Sequence, residues 1–143
     1  MDNLIDLENA TLENTQCMTL DGQKLRCKVI SVYDADTVTI VFPFFGRLFK
    51  EKFRLYGIDS AEIRTKNLEE KAHAYTSRDW LKERILNNIV YIQFYDWDKY
   101  GRLLGDIYET ETSTETINSI LVNNKMAYVY TGKTKQKFEE WSK

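Results

Sequence analysis

From Lys24 the chain alternates, with Leu25, Cys27 and Val29 on one side and Arg26 and Lys28 on the other. A period of two marks a strand with one face on a core. The alternation returns from Thr37 to Phe42, where Val38, Ile40 and Phe42 share a side, and a third extended run covers Leu48 to Tyr56. Tyr33 to Asp36 reads as the tight turn between the first two runs, since the Asp34 carboxylate can bond nearby N–H groups. Pro43-Phe44-Phe45-Gly46-Arg47 reads as a hairpin loop, and Gly57 as a bulge or close approach.

From Asn67 the period changes. Asn67 stands three residues before Glu70, a capping-box arrangement, and good helix formers continue to about Leu86 with Ala74, Leu81 and Ile85 on one face. Ile89 to Tyr95 and Arg102 to Tyr108 are a fourth and a fifth strand, joined by the loop Asp96 to Gly101. Thr112-Ser113-Thr114-Glu115 repeats the capping signal before a short helix carrying Ile117, Ile120 and Leu121. Tyr128 to Tyr130 is short and extended, and Lys133 to Ser142 predicts a closing helix with Phe138 and Trp141 on one side. Residues 1 to 16 are polar and acidic and read as a flexible arm, leaving 17–143 as one domain. Five strands with a helix between the third and fourth give an α+β fold, an OB-type barrel with about three flanking helices, an architecture that often binds oligonucleotides.

Composition narrows the chemistry. At 143 residues the chain holds one domain of ordinary size. No run approaches the ~18 apolar residues of a membrane span. The first residues lack a basic stretch followed by an apolar one, so no signal peptide and an intracellular setting are expected. Cys17 and Cys27 form neither a metal pattern nor a disulfide framework. The one histidine, His73, sits in a charged helical stretch and reads as a solvated residue. That makes a Ser-His-Asp triad, a Cys-His pair or a histidine-rich metal site a poor expectation. The net charge of −2 argues mildly against a broadly basic nucleic-acid binder.

Chemistry must then run on carboxylates, arginines and a metal. Asp36, Asp59 and Glu62 lie where strands end, with Arg54 nearby and Arg102 opening another strand. Hard oxygen ligands suit Ca²⁺ or Mg²⁺ rather than zinc. A guanidinium fork suits the two oxygens of a phosphate. For each of these residues taken singly, a solvated surface charge is the simpler reading.

Together they are similar to the staphylococcal nuclease (thermonuclease) family, from about Lys24 to at least Val122. Three blocks occur in order: Asp34-Ala35-Asp36-Thr37, Arg54 through Glu62, and Asp98-Lys99-Tyr100-Gly101-Arg102. The resemblance implies an OB-fold phosphodiesterase that uses Ca²⁺, ahead of Mg²⁺ or Mn²⁺, on single-stranded DNA or RNA and leaves 3′-phosphates. It implies metal ligation by Asp36, Asp59 and the Ser60 carbonyl, with Asp34 behind them. Glu62 then orients or deprotonates the attacking water, Arg54 and Arg102 hold the scissile phosphate, and Lys99 and Tyr100 meet a neighbouring one. Ala127-Tyr128-Val129-Tyr130 spells the letters of the family's base-stacking tyrosines, three places out of register in a gapless alignment, so Tyr128 and Tyr130 are candidates for substrate contact. Ala61 stands where the family has proline, which predicts a looser aim for Glu62, and the loop from Phe94 to Arg102 looks shorter. Two other readings compete. One is a catalytically silent domain of the same fold that binds nucleic acid or protein, and the other is a purely structural interaction module resting on the apolar Phe42-Pro43-Phe44-Phe45 tip, with self-association through the Phe44 and Phe45 loop as the partner expectation. Silent copies are expected to lose a carboxylate or an arginine, whereas all five catalytic positions are filled here.

Overall fold

The structure, a computed structural model, describes residues 6–143; the opening of the expected arm, residues 1 to 5, lies outside the described residues. Beyond a 3₁₀ turn at Leu7–Asn9, the packed body starts near Thr19, whose hydroxyl donates to Asp96, and Leu20, which is buried. The strands β1 (Lys24–Asp34), β2 (Thr37–Phe44) and β3 (Arg47–Leu55) form a meander. The chain continues through β4 (Ile58–Ser60), α1 (Leu68–Ile85), β5 (Ile89–Tyr95), β6 (Leu103–Tyr108), α2 (Ile117–Asn123), β7 (Ala127–Val129) and α3 (Phe138–Trp141).

Five strands close into a barrel in the order β1-β2-β3-β6-β5, sealed by pairing of β1 with β5. The β3–β6 seam is parallel, Phe53 opposite Leu103, and the other seams are antiparallel. The fold is therefore the α+β barrel that the strand order predicts, with three helices among the described residues. Inward positions Val29, Ile40, Phe53, Ile92, Phe94 and Ile107 fill it, joined by Leu81 and Ile85 of α1 and by Ile117 and Leu121 of α2. Truncating one of these, Leu81→Ala for example, removes a fully buried side chain and should cost ~2–5 kcal/mol. At the β5–β6 seam a Cβ on Gly105 would lie 2.2 Å from the Gln93 carbonyl oxygen, so the close approach admits only glycine. Among the described residues no helix is long and apolar enough to cross a membrane.

Several local expectations are corrected. The β2–β3 hairpin turns on Phe45 and Gly46 alone, both at positive φ (53° and 71°), so Pro43 and Phe44 continue the strand. Pairing of β2 with β1 ends at Val41, so Pro43 sits where the strand has one neighbour and its missing N–H costs little. Residues 58–60, read as loop, form a strand paired with β7. The second helix is capped by Thr116, whose hydroxyl accepts from Ser119 N–H, rather than by the Thr112–Glu115 stretch. The closing helix shrinks to Phe138–Trp141. His73 is no solvated side chain: its Nε2 meets the Lys125 carbonyl at 2.9 Å, and its ring stands edge-on to Phe138 and Trp141, tying α1 to the C-terminal segment.

Candidate active site

β1 carries two bulges, one between Val29 and Ser31 and one between Val32 and Asp34. A bulge adds a residue on one strand and re-aims the side chains after it. The second sets Asp34 opposite Thr37 and turns the chain at Ala35–Asp36, and the Asp36 N–H donates to Asp34 Oδ1 at 3.1 Å. The Asp36 carbonyl in turn accepts from Leu55 N–H on β3 at 2.9 Å, so this turn is pinned to the strand that carries Arg54.

Both oxygens of the buried Asp36 carboxylate are engaged. Oδ1 accepts from Thr37 Oγ1 at 2.8 Å and pairs with Arg54 Nη1 at 2.9 Å. Oδ2 accepts from the backbone N–H and the hydroxyl of Ser60, both at 3.0 Å. Arg54 Nη2 reaches the Ile58 carbonyl at 2.9 Å and Asp59 Oδ1 at 3.5 Å. One guanidinium thus spans both carboxylates. Because β4 pairs with β7 through Gly57 and Asp59, the alternate backbone groups of Ile58 and Ser60 face Asp36 and Arg54.

Asp59 is held from behind. Tyr128, on β7 directly opposite it, donates its hydroxyl to Asp59 Oδ2 at 2.8 Å. The tyrosine ring is buried against Trp141, and its hydroxyl also accepts from Gln136 N–H. Of the two tyrosine candidates, Tyr130 lines the cleft, whereas Tyr128 is turned away from any base and positions a carboxylate instead. Sequence reasoning missed Lys135 altogether. Its Nζ lies 3.5 Å from both Asp59 Oδ2 and Glu62 Oε1. In a charged stretch read as a closing helix, one lysine among several carries no signal that it folds back over the site.

Glu62 is exposed at the mouth of the cleft, and its loop is held where the sequence predicts looseness. Ala61 is buried in a small cluster with Ala74 of α1 and Phe138 of α3. The Glu70 carboxylate accepts from Glu62 N–H at 3.3 Å and from the Thr65 hydroxyl at 2.9 Å. Across the cleft, Asp98 accepts from the N–H groups of Tyr100 and Arg102 and from Arg102 Nε at 2.6 Å. Among the described residues only Nε of the Arg102 side chain is hydrogen-bonded. Asp98 is thus the fixture that aims Arg102. Lys99 and Tyr100 line the same cleft, a space of about 870 Å³ that takes in every predicted site residue except Tyr128.

The carboxylates crowd one another. Burial, reinforced by the Asp36 charge, pushes Asp34 up to about 8, against relief from a backbone hydrogen bond and Arg54. Burial also raises Asp59, with Asp36 adding to it and the Tyr128 hydroxyl and Lys135 opposing it. Burial would raise Asp36 too, but Arg54, Thr37, Asp34 and the Ser60 N–H hold it below the usual carboxylate range. Asp34, Asp36, Asp59 and Glu62 face two cations, Arg54 and Lys135. Lys52, Arg64, Lys99 and Arg102 line the rest of the cleft, so the negative charge a phosphodiester meets is local to these carboxylates. Among the described residues no three His, Cys, Asp or Glu side chains form a ready-made metal cage. The donor set is two carboxylates with an adjoining backbone, which leaves several positions to water and fits a hard cation of flexible geometry. A divalent cation would relieve the crowding that raises Asp34 and Asp59.

Asp34 gives a prediction with a defined sign. Its folded value lies above its ordinary 3.8, so the folded chain keeps a proton that the unfolded chain has released. That stabilising contribution is full below 3.8 and disappears as pH rises to about 8. Thermal melts in EDTA should show Tm falling across this window, and Asp34→Asn should flatten the fall. An equally steep fall in the variant would remove Asp34 from this role.

The chain thus combines a closed OB-type barrel with a carboxylate–arginine cleft at the ends of β1, β3 and β4. Residues 52–143 match the family described as staphylococcal nuclease homologue, and the chain belongs to that family. Curated relatives include two proteins named "Uncharacterized endonuclease", from Escherichia coli O157:H7 and from Escherichia coli. Each is 25% identical over 103 residues, a stretch covering 72% of this chain. The matched stretch spans 60% of the length of those relatives.

Proposed function

We propose that this chain hydrolyses phosphodiester bonds of single-stranded DNA or RNA and leaves 3′-phosphate ends, using Ca²⁺ ahead of Mg²⁺ or Mn²⁺. The observation that carries the reading is the single cleft that brings Asp36, Asp59, Glu62, Arg54 and Arg102 together from five separate turns, strands and loops. Asp36, Asp59 and the Ser60 carbonyl would hold the cation. When bound, it offsets phosphate charge and lowers the pKa of a nearby water. Glu62 takes the proton of the water that attacks phosphorus, and the bond to the 5′-oxygen breaks on the opposite side. Arg54 and Arg102 bind the equatorial oxygens, whose negative charge grows in the transition state. Solvent, rather than Arg102, protonates the leaving oxygen, because a guanidinium does not release its proton near neutral pH.

The test is cleavage of single-stranded DNA and RNA in Ca²⁺, Mg²⁺ and EDTA, with product ends identified chemically. Glu62→Gln should lower kcat by ~10²–10⁴ while substrate binding persists. Binding without cleavage by the wild type in every metal would favour the silent-domain alternative instead.

Self-association through the hairpin tip remains part of the proposal. Phe45 is 84% exposed and Leu48 73% exposed, while Phe44 packs partly on the core. Phe44→Ser with Phe45→Ser should lower the sedimentation coefficient of an associated wild type. A wild type that already sediments as a monomer ends this idea.

A further inference from the structure

The charge of the chain is not spread evenly. Beyond the catalytic cleft, the outward face of β1, β2 and β3 carries cations and no carboxylate. Phe53 and Leu55 point inward on β3, so Arg54, Lys52 and Lys50 share the outward side. Glu51 has the opposite orientation and lines a small apolar pocket with Phe42, Phe49 and Trp97. The register arranges the outward residues in rows. Arg54 lies beside Thr37 and Asp34, the next row is Lys52–Thr39–Ser31, and the third is Lys50–Val41–Lys28. Lys28, Lys50 and Lys52 are exposed, and among the described residues none of them is in an ion pair. The catalytic cleft runs into this face, since Ser31, Tyr33, Thr39 and Lys52 line it together with Arg54.

We infer that the outward face of β1–β3 is a binding track for the single-stranded nucleic acid that enters the catalytic cleft, with Lys52 and then the row of Lys50 and Lys28 meeting phosphates beyond the one held by Arg54. This rests on the nuclease reading and extends it from a site of one or two phosphates to a polynucleotide-binding surface. Residues two apart on a strand are ~6.6 Å apart, comparable with the distance between successive phosphates of an extended single strand. Thr39 and Ser31 offer hydroxyls between the cations, and Tyr33, 51% exposed at the mouth of the cleft, offers a face on which a base can stack. A net charge of −2 gives the chain no general pull on polyanions, so the attraction is confined to the face where these lysines gather. The exposed tip beside Lys50 would suit an anionic membrane, but the track opens into the cleft at Lys52 and Arg54, which favours a substrate strand.

The experiment measures binding of phosphorothioate-linked oligodeoxythymidylates, from dinucleotide to decanucleotide, across a salt series in EDTA. Affinity should grow with length to about a pentanucleotide or hexanucleotide and then level off. Lys28→Ala, Lys50→Ala and Lys52→Ala combined should abolish that gain and make the slope of log K against log salt shallower by about 2, three phosphates at ≈ 0.7 each. A control that removes three positive charges elsewhere (Lys71→Ala, Lys82→Ala and Lys137→Ala) should leave the slope in place. Equal loss in both triple variants would show an effect of net charge alone and overturn the track. So would a wild type whose affinity ignores length, or one that prefers phosphatidylserine vesicles to oligonucleotides through the same three lysines. Length-dependent binding by a wild type that never cleaves would uphold the track and refute the nuclease reading. Cleavage without length dependence would refute the track alone.

Discussion

Replacing Arg54 by glutamine should lower kcat by ~10²–10³, the effect expected for one donor aimed at developing transition-state charge. The same change should destabilise the metal-free protein. The arginine side chain is 16% exposed and pairs with Asp36 and Asp59, each carboxylate 7% exposed. Removing one partner of a buried ion pair leaves the other charged and unpaired, a cost of ~3–5 kcal/mol. Ca²⁺ in excess should restore Tm, because it supplies the missing positive charge, and should leave activity low. Arg54→Lys keeps the charge and loses the fork, so it should fold well and still cleave slowly. Wild-type kcat in Arg54→Lys would take this residue out of the transition state.

Asp59→Asn should have the opposite signature. Burial and the Asp36 charge hold the folded Asp59 carboxyl above its ordinary range, so its ionised form opposes folding at neutral pH. Asparagine still offers an oxygen to the Tyr128 hydroxyl and removes the charge. In EDTA the variant should melt at or above the wild-type Tm, in contrast to Arg54→Gln. Its Ca²⁺-dependent rise in stability, ~2.7 kcal/mol for the wild type at a hundredfold excess over Kd, should be lost together with cleavage. Full cleavage by Asp59→Asn at saturating Ca²⁺ would show that Asp59 does not hold the cation.

The barrel was legible because its strands are long and period two. Leu25-Cys27-Val29 and Val38-Ile40-Phe42 announce their buried faces without help from the rest of the chain. Asp36, Arg54 and Asp59 were legible only as ordered motif blocks. Their convergence depends on a bulge in β1 and a carbonyl bond from Asp36 to β3, neither of which spacing encodes. β4 and β7 were missed as a pair because three residues are too few to show a period. Tyr128 and Lys135 reach Asp59 across a long stretch of sequence, and nothing local distinguishes such residues from surface or core ones. The basic track was hidden for a different reason. Lys50 and Lys52 alternate with Glu51, so composition averages to little while the pleat separates the signs onto two faces.

The β4–β7 pair also sets an order of assembly. All three motif blocks precede β6 or open it, and the barrel strands are complete at Tyr108. Asp59 gains its strand partner and the Tyr128 hydroxyl only when residues 127–136, which follow every barrel strand in the chain, dock on β4. A ribosome that has delivered Asp36, Arg54, Asp59, Glu62 and Arg102 therefore still holds a chain whose cleft is unfinished.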